Sequence, residues 1–62
     1  MKGWTALHSA AFLNLKEIVQ LLLAKKADVN IKDDDGKTPL TIATENGHKE
    51  VADQLRKVGA KE

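Results

Sequence analysis

The chain carries two histidines, His8 and His48, and one run of carboxylates, Asp33-Asp34-Asp35, closed by Gly36. General bases, zinc sites and calcium loops are built from these residue types. Their spacing assembles none of the three. The histidines stand 40 residues apart in different elements, the chain has no cysteine, and no carboxylate sits at ligand spacing beside His8. A calcium loop of the helix–loop–helix kind needs acids at alternate places and a closing Glu at its twelfth position; counting from Asp33, that position is Thr44. The run therefore reads as an acidic turn facing solvent, able to meet a basic patch on a partner. No Gly-rich phosphate loop is present, and neither Ser9 nor any Thr sits in a nucleophile elbow. The expectation is a non-enzyme with no metal and no cofactor.

Composition narrows the classes further. At 62 residues the chain holds one small domain, which buries only ~60% of the surface its unfolded form exposes. Ten basic and nine acidic side chains leave a net charge of +1, so no long-range field favours nucleic acid or anionic lipid. The longest apolar run, Leu21-Leu22-Leu23-Ala24, falls far short of the ~20 residues a membrane span needs. The N-terminus lacks the apolar region of a signal peptide. These features place the chain as soluble and intracellular, in the cytoplasm, with neither nucleic acid nor membrane as partner. Lys25-Lys26 and Arg56-Lys57, late in their segments, suit the negative ends of helix dipoles.

Two stretches, "GWTALHSAA" from residue 3 and "GKTPLTIAT" from residue 36, resemble each other at an offset of 33 residues. The match continues through Lys16/Lys49, Glu17/Glu50, Ile18/Val51, Leu22/Leu55 and Ala27/Ala60, so one structural unit is present twice. Each copy parses into the same parts. Thr38 is an N-cap with Pro39 at the first helical position, and this short helix ends at Asn46-Gly47. In the first copy Asn14 replaces that glycine; Asn is the other residue that accepts a left-handed backbone. A second helix runs from Leu15 to Lys25 in copy one, where Ile18, Val19, Leu22 and Leu23 form an apolar stripe. Its counterpart runs from Lys49 to Val58 and is stopped by Gly59. "ADVNIKDDDGKT" connects the copies as an extended, hairpin-like loop with its turn near Asp34 to Gly36.

Helix, tight turn, helix and long turn-bearing loop with this period resemble the ankyrin repeat. "GWTALHSAA" and "GKTPLTIAT" carry the T-P-L-H-x-A-A signature, "NGHKEVADQL" the G-H-x-x-V…L segment and "LLLAKKADVN" the L-L-L-x-x-G-A-D-x-N ending. The resemblance covers Gly3 to Ala60. It implies an all-α fold: an ankyrin-type helix-turn-helix solenoid of two repeats joined by a β-turn loop, with repeat 1 at about 3–35 and repeat 2 at about 36–62 of a single domain, 1–62. Three departures stand out. Ala6 replaces Pro, Thr41 replaces His, and Lys26 replaces Gly at the end of the second helix. If the family's left-handed backbone is kept there, Lys26 is strained by roughly 1 kcal/mol.

The resemblance also implies a function, protein–protein recognition through a concave face made by the loop tips and the ends of the first helices. Carried over by alignment, the contact positions are Trp4, Phe12 and Leu13 in copy one and Asp34, Asp35, Lys37, Glu45 and Asn46 in copy two. Trp4 and Phe12 are the chain's only aromatics, and tryptophan is frequent among residues that dominate binding energy. An equal alternative is that both pack on a missing or symmetry-related repeat. His8 is expected to bond the Thr5 hydroxyl or the next loop's backbone, as in the family, and His48 to anchor a loop. Gln54 and Arg56 replace Leu21 and Leu23, which makes copy two look like a C-terminal cap with a polar outer face. Copy one has no such cap, so the competing expectation is a structural end piece of a longer array, or a homo-oligomer formed through the uncovered N-terminal face.

Overall fold

The computed structural model describes residues 3–60, so Met1 and Glu62, the ends of the expected domain, lie outside the described residues. Four helices follow one another: α1 (Ala6–Phe12), α2 (Lys16–Ala24), α3 (Pro39–Glu45) and α4 (Lys49–Lys57). Among the described residues there is no strand. Each helix of the second pair begins and ends 33 residues after its counterpart. Leu22 and Leu55, aligned from sequence, occupy the same place in α2 and α4.

The cause of this correspondence is local. Thr5 and Thr38 cap α1 and α3 from extended backbone, each hydroxyl accepting the N–H three residues on, from His8 at 3.4 Å and from Thr41 at 3.2 Å. In α1 the cap is reciprocal, because the His8 ring accepts the Thr5 N–H at 3.1 Å, a role usually taken by Glu or Gln. All four helices end alike. The residue after each C-cap is left-handed: Asn14 (φ 58°), Lys26 (62°), Gly47 (72°) and Gly59 (92°). The next N–H then returns to the helix, from Leu15 to Ala10, Ala27 to Leu22, His48 to Ala43 and Ala60 to Leu55, at 2.9–3.1 Å. The residues left outside α2, Leu15 and Lys25, are its caps, so that helix is one residue shorter at each end than the sequence indicates. α4 likewise stops at Lys57, with Val58 as its cap.

α1 packs on α2 and α3, and α4 packs on α3 and α2, so the pairs stack side by side. Their shared core is aliphatic: Leu7, Ala10, Ala11, Val19, Leu40, Ile42, Ala43, Val51, Ala52 and Leu55. Alanine at four of these positions lets helix backbones approach closely. Aligned positions differ in burial according to which side has a neighbour. Val51 is fully buried and Ile18 is 44% exposed; Ile42 is buried and Ser9 exposed; Ala11 is buried and Thr44 exposed.

One expectation is corrected here. Gln54 does not lie on the outer face with Arg56. Its side-chain amide donates to the Lys16 carbonyl at 3.3 Å, placing it in the seam between α4 and α2. Two residues two apart on a helix point about 200° away from each other, so one polar face cannot hold both. Arg56, Thr44, Lys49 and Asp53 make the exposed polar face instead.

Candidate functional site

The inner helices α1 and α3 and the loop before α3 enclose a groove of about 410 Å³. It is lined by Trp4, Phe12, Asp33, Asp34, Asp35, Lys37, Ile42, Glu45 and Asn46. Seven of the eight sequence-derived contact positions therefore come together. The eighth, Leu13, lies aside; it is 59% exposed and shares a neighbouring depression with Trp4, Ser9 and Phe12.

Asp33 organises the loop, and this corrects the reading of the acidic run as wholly solvent-facing. Its carboxylate is buried (9% exposed) and accepts three N–H groups: the Trp4 indole at 2.8 Å, Asp35 at 2.9 Å and Lys37 at 2.9 Å. The two backbone bonds form the Asx-type turn that aspartate favours. The Asp33 N–H also donates to the Lys37 carbonyl at 2.9 Å, and the Gly36 N–H to the Asp33 carbonyl at 3.0 Å. The turn thus falls at Asp34 to Gly36, as the sequence predicts. The Lys37 N–H, then the Trp4 and Asp35 donors, hold the Asp33 carboxyl below the ordinary 3.8, against the opposing effect of burial. Gly3 (φ 76°) passes so close that an added Cβ would stand 3.0 Å from the Asp34 backbone nitrogen.

His8 fixes the loop from the other side. It is fully buried. Its Nδ1 accepts the Thr5 N–H, so Nε2 carries the proton and donates to the Lys37 carbonyl at 2.9 Å. The Thr5 hydroxyl lies 3.0 Å from the same Nδ1. Both contacts expected of this histidine are therefore made at once. Trp4 stacks on the His8 ring, 6.1 Å between centroids at 17°, and tilts against Phe12 at 5.4 Å and 60°. His48 supplies a second tie between the pairs, from Nε2 to the Phe12 carbonyl at 3.0 Å. Lys37 and Glu45 form an ion pair at 3.0 Å across the groove floor, and Glu45 holds the Lys37 ammonium above its ordinary 10.5. The Asn46 amide donates to the Ile42 carbonyl at 2.8 Å.

Sequence reasoning missed Asp33 and Ile42 at this site. An Asp two and four residues ahead of backbone N–H groups at a Gly turn was a usable signal for the first; Ile42 gave none beyond its apolar type. Among the described residues no group of three or more His, Cys, Asp or Glu side chains converges to hold a metal ion. No helix there is long and apolar enough to cross a membrane.

Helix pairs repeated at a fixed offset, stacked into one core and lined with a continuous groove, define a helical solenoid. The chain belongs to the ankyrin repeat family: the family model described as ankyrin repeats (3 copies) matches residues 1–62. The chain is 46% identical over 63 residues to the putative ankyrin repeat protein YahD of Escherichia coli strain K12, covering 94% of this chain and 31% of that protein. It is 47% identical over 47 residues to ankyrin repeat and SOCS box protein 3 of Homo sapiens, covering 76% and 9%. It is 50% identical over 48 residues to protein phosphatase 1 regulatory subunit 12A of Mus musculus, covering 77% and 5%. The chain thus spans less than a third of the length of each of these relatives. Ankyrin repeats generally mediate protein–protein interaction and are generally not catalysts.

Proposed function

We propose that this chain is a non-catalytic recognition module whose groove contacts a protein partner. In this reading 1–62 is one domain, with repeats at about 3–35 and 36–62. Trp4, Phe12, Leu13, Asp34, Asp35, Lys37, Glu45 and Asn46 make the contacts. One observation carries it. The loop tip at Asp34–Lys37 is tied down by Asp33 and His8 before any partner arrives. A partner meeting a preformed surface loses less ordering entropy on binding. Relatives whose names place them with a SOCS box or a phosphatase point to the same kind of adaptor role.

A photo-reactive benzophenone side chain at position 35 tests this, with position 53 on the exposed face of α4 as the comparison. The expected result is a protein adduct at 35 and none at 53. Adducts at 53 alone would overturn the reading.

A second reading has its own observation. Leu13, Leu15, Ile18 and Leu21 are 42–59% exposed at the side of the first pair away from the second. An apolar face there and a polar face at the other end suit an end piece covered by a preceding repeat, or by a second copy of this chain. Sedimentation across concentration separates these: a monomer at every concentration argues against the second copy.

A further inference from the structure

We propose that the partner segment seated in the groove is basic and offers arginine side chains to Asp34 and Asp35 and to the Trp4 and Phe12 rings. This rests on the groove being the contact surface, as argued above.

Two independent features of the groove lead to it. The first is charge. Among the described residues four carboxylates and one ammonium line it, a formal −3, within a chain of net charge +1. The molecule concentrates its negative charge where the loop and inner helices meet, which favours cationic partners and repels nucleic acid and anionic lipid.

The second is the state of the hydrogen-bonding groups. Among the described residues each donor side chain lining the groove has an internal acceptor: the Trp4 indole N–H on Asp33, the Lys37 ammonium on Glu45, the Asn46 amide on the Ile42 carbonyl. The acceptors divide differently. Asp33 and Glu45 are engaged, whereas Asp34 and Asp35 are exposed, and no described residue bonds to either carboxylate. The groove is rich in acceptors and each of its described donor side chains already holds one internal bond, which favours a partner that brings donors. With its N–H held by Asp33, Trp4 offers only ring surface, and Phe12, 39% exposed, offers the same. Aromatic faces beside exposed carboxylates suit guanidinium groups, which stack on rings and donate in a planar fork; an ammonium is a compact, strongly hydrated charge that does neither.

The test uses the peptide acetyl-Gly-Arg-Gly-Arg-Gly-amide, with its Lys and Glu counterparts. Trp4 is the only tryptophan, so its indole N–H resonance and fluorescence report from the site itself. The expected result is saturable shifts confined to the Trp4 indole and the amides of Asp34–Lys37. Binding should be weaker by several-fold for the Lys peptide and absent for the Glu peptide. Asp34→Asn with Asp35→Asn should weaken the Arg peptide about tenfold while the amide spectrum keeps its native dispersion. Glu17→Gln with Asp53→Asn, which removes two carboxylates away from the groove, should leave affinity unchanged. The inference is overturned if no saturable shift occurs, if shifts spread equally to α2 and α4, or if the Asp34/Asp35 variant binds as well as the parent. A protein that crosslinks at position 35 but binds the Asp34/Asp35 variant normally would sink the basic partner and leave the groove standing. Absence of crosslinks at 35 would sink the groove itself.

Discussion

His8, fully buried in the first helix, donates from Nε2 to the carbonyl oxygen of Lys37, 29 residues further along, at 2.9 Å. This bond joins the first helix pair to the loop that forms the groove. Its value depends on a loop being there to accept it. His8→Ala leaves a part-buried carbonyl without its partner and removes half of the α1 cap. A urea titration should show a loss of about 2–3 kcal/mol. Thr41→His, the same residue at the aligned place in α3, exchanges the 3.1 Å hydroxyl contact with Thr38 for a ring on the same cap and should change stability by no more than about 0.5 kcal/mol.

Acid should act through Asp33. Its carboxyl sits below the ordinary 3.8 when folded, so its contribution is fully present above the unfolded value and is lost as pH falls through the lower folded value. The stability difference between the parent and Asp33→Asn should hold steady from pH 7 to about 5 and shrink below 3.8. A difference that stays constant down to the lowest pH at which the parent folds would contradict the role given to this carboxylate. Trp4→Phe removes one of the three donors and should raise the Asp33 carboxyl toward its ordinary value, measured by NMR titration.

Strain at Lys26 is a separate matter. Its φ of 62° lies in the left-handed region that Gly59, at 92°, occupies without a Cβ at the aligned position. Lys26→Gly should raise the melting temperature by a few degrees, since relief of about 1 kcal/mol is partly offset by the greater freedom of glycine when unfolded. Asn14→Gly (φ 58°) should gain less, because Asn tolerates this backbone. A lowered melting temperature for Lys26→Gly would contradict the strain.

The seam between pairs should show in the cost of truncating buried and exposed apolar residues. Leu55→Ala, at a fully buried site, should cost about 2–5 kcal/mol. Ile18→Ala, which removes more side chain than a change at its buried counterpart Val51 would, should cost about 1 kcal/mol or less, because Ile18 is 44% exposed. Equal costs would mean that the first pair is covered in a way the burial pattern does not show.

How much of this could be read beforehand depends on the range of the interactions. The helix starts at Thr38-Pro39 and the exits at Asn14 and Gly47 were legible because capping and left-handed backbone are decided within a few residues. The seven groove positions were legible through the 33-residue alignment and the family resemblance. Asp33 was not, because three identical residues stand in a row and only the fold selects one. That choice is made by Trp4, 29 residues earlier, and by the N–H groups of Asp35 and Lys37. Gln54 failed for a similar reason. Its polarity indicated solvent, but helix geometry turned it into the seam, where the Lys16 carbonyl accepts from it.

The central claim is that the groove is preformed, and backbone ¹⁵N relaxation at Asp34–Lys37 tests it most directly. With Asp33 and His8 holding the loop, order parameters there should match those of α1 and α3, about 0.85, and should fall in Asp33→Ala. Values below about 0.6 in the parent chain would mean that the loop orders only on binding, contradicting the account.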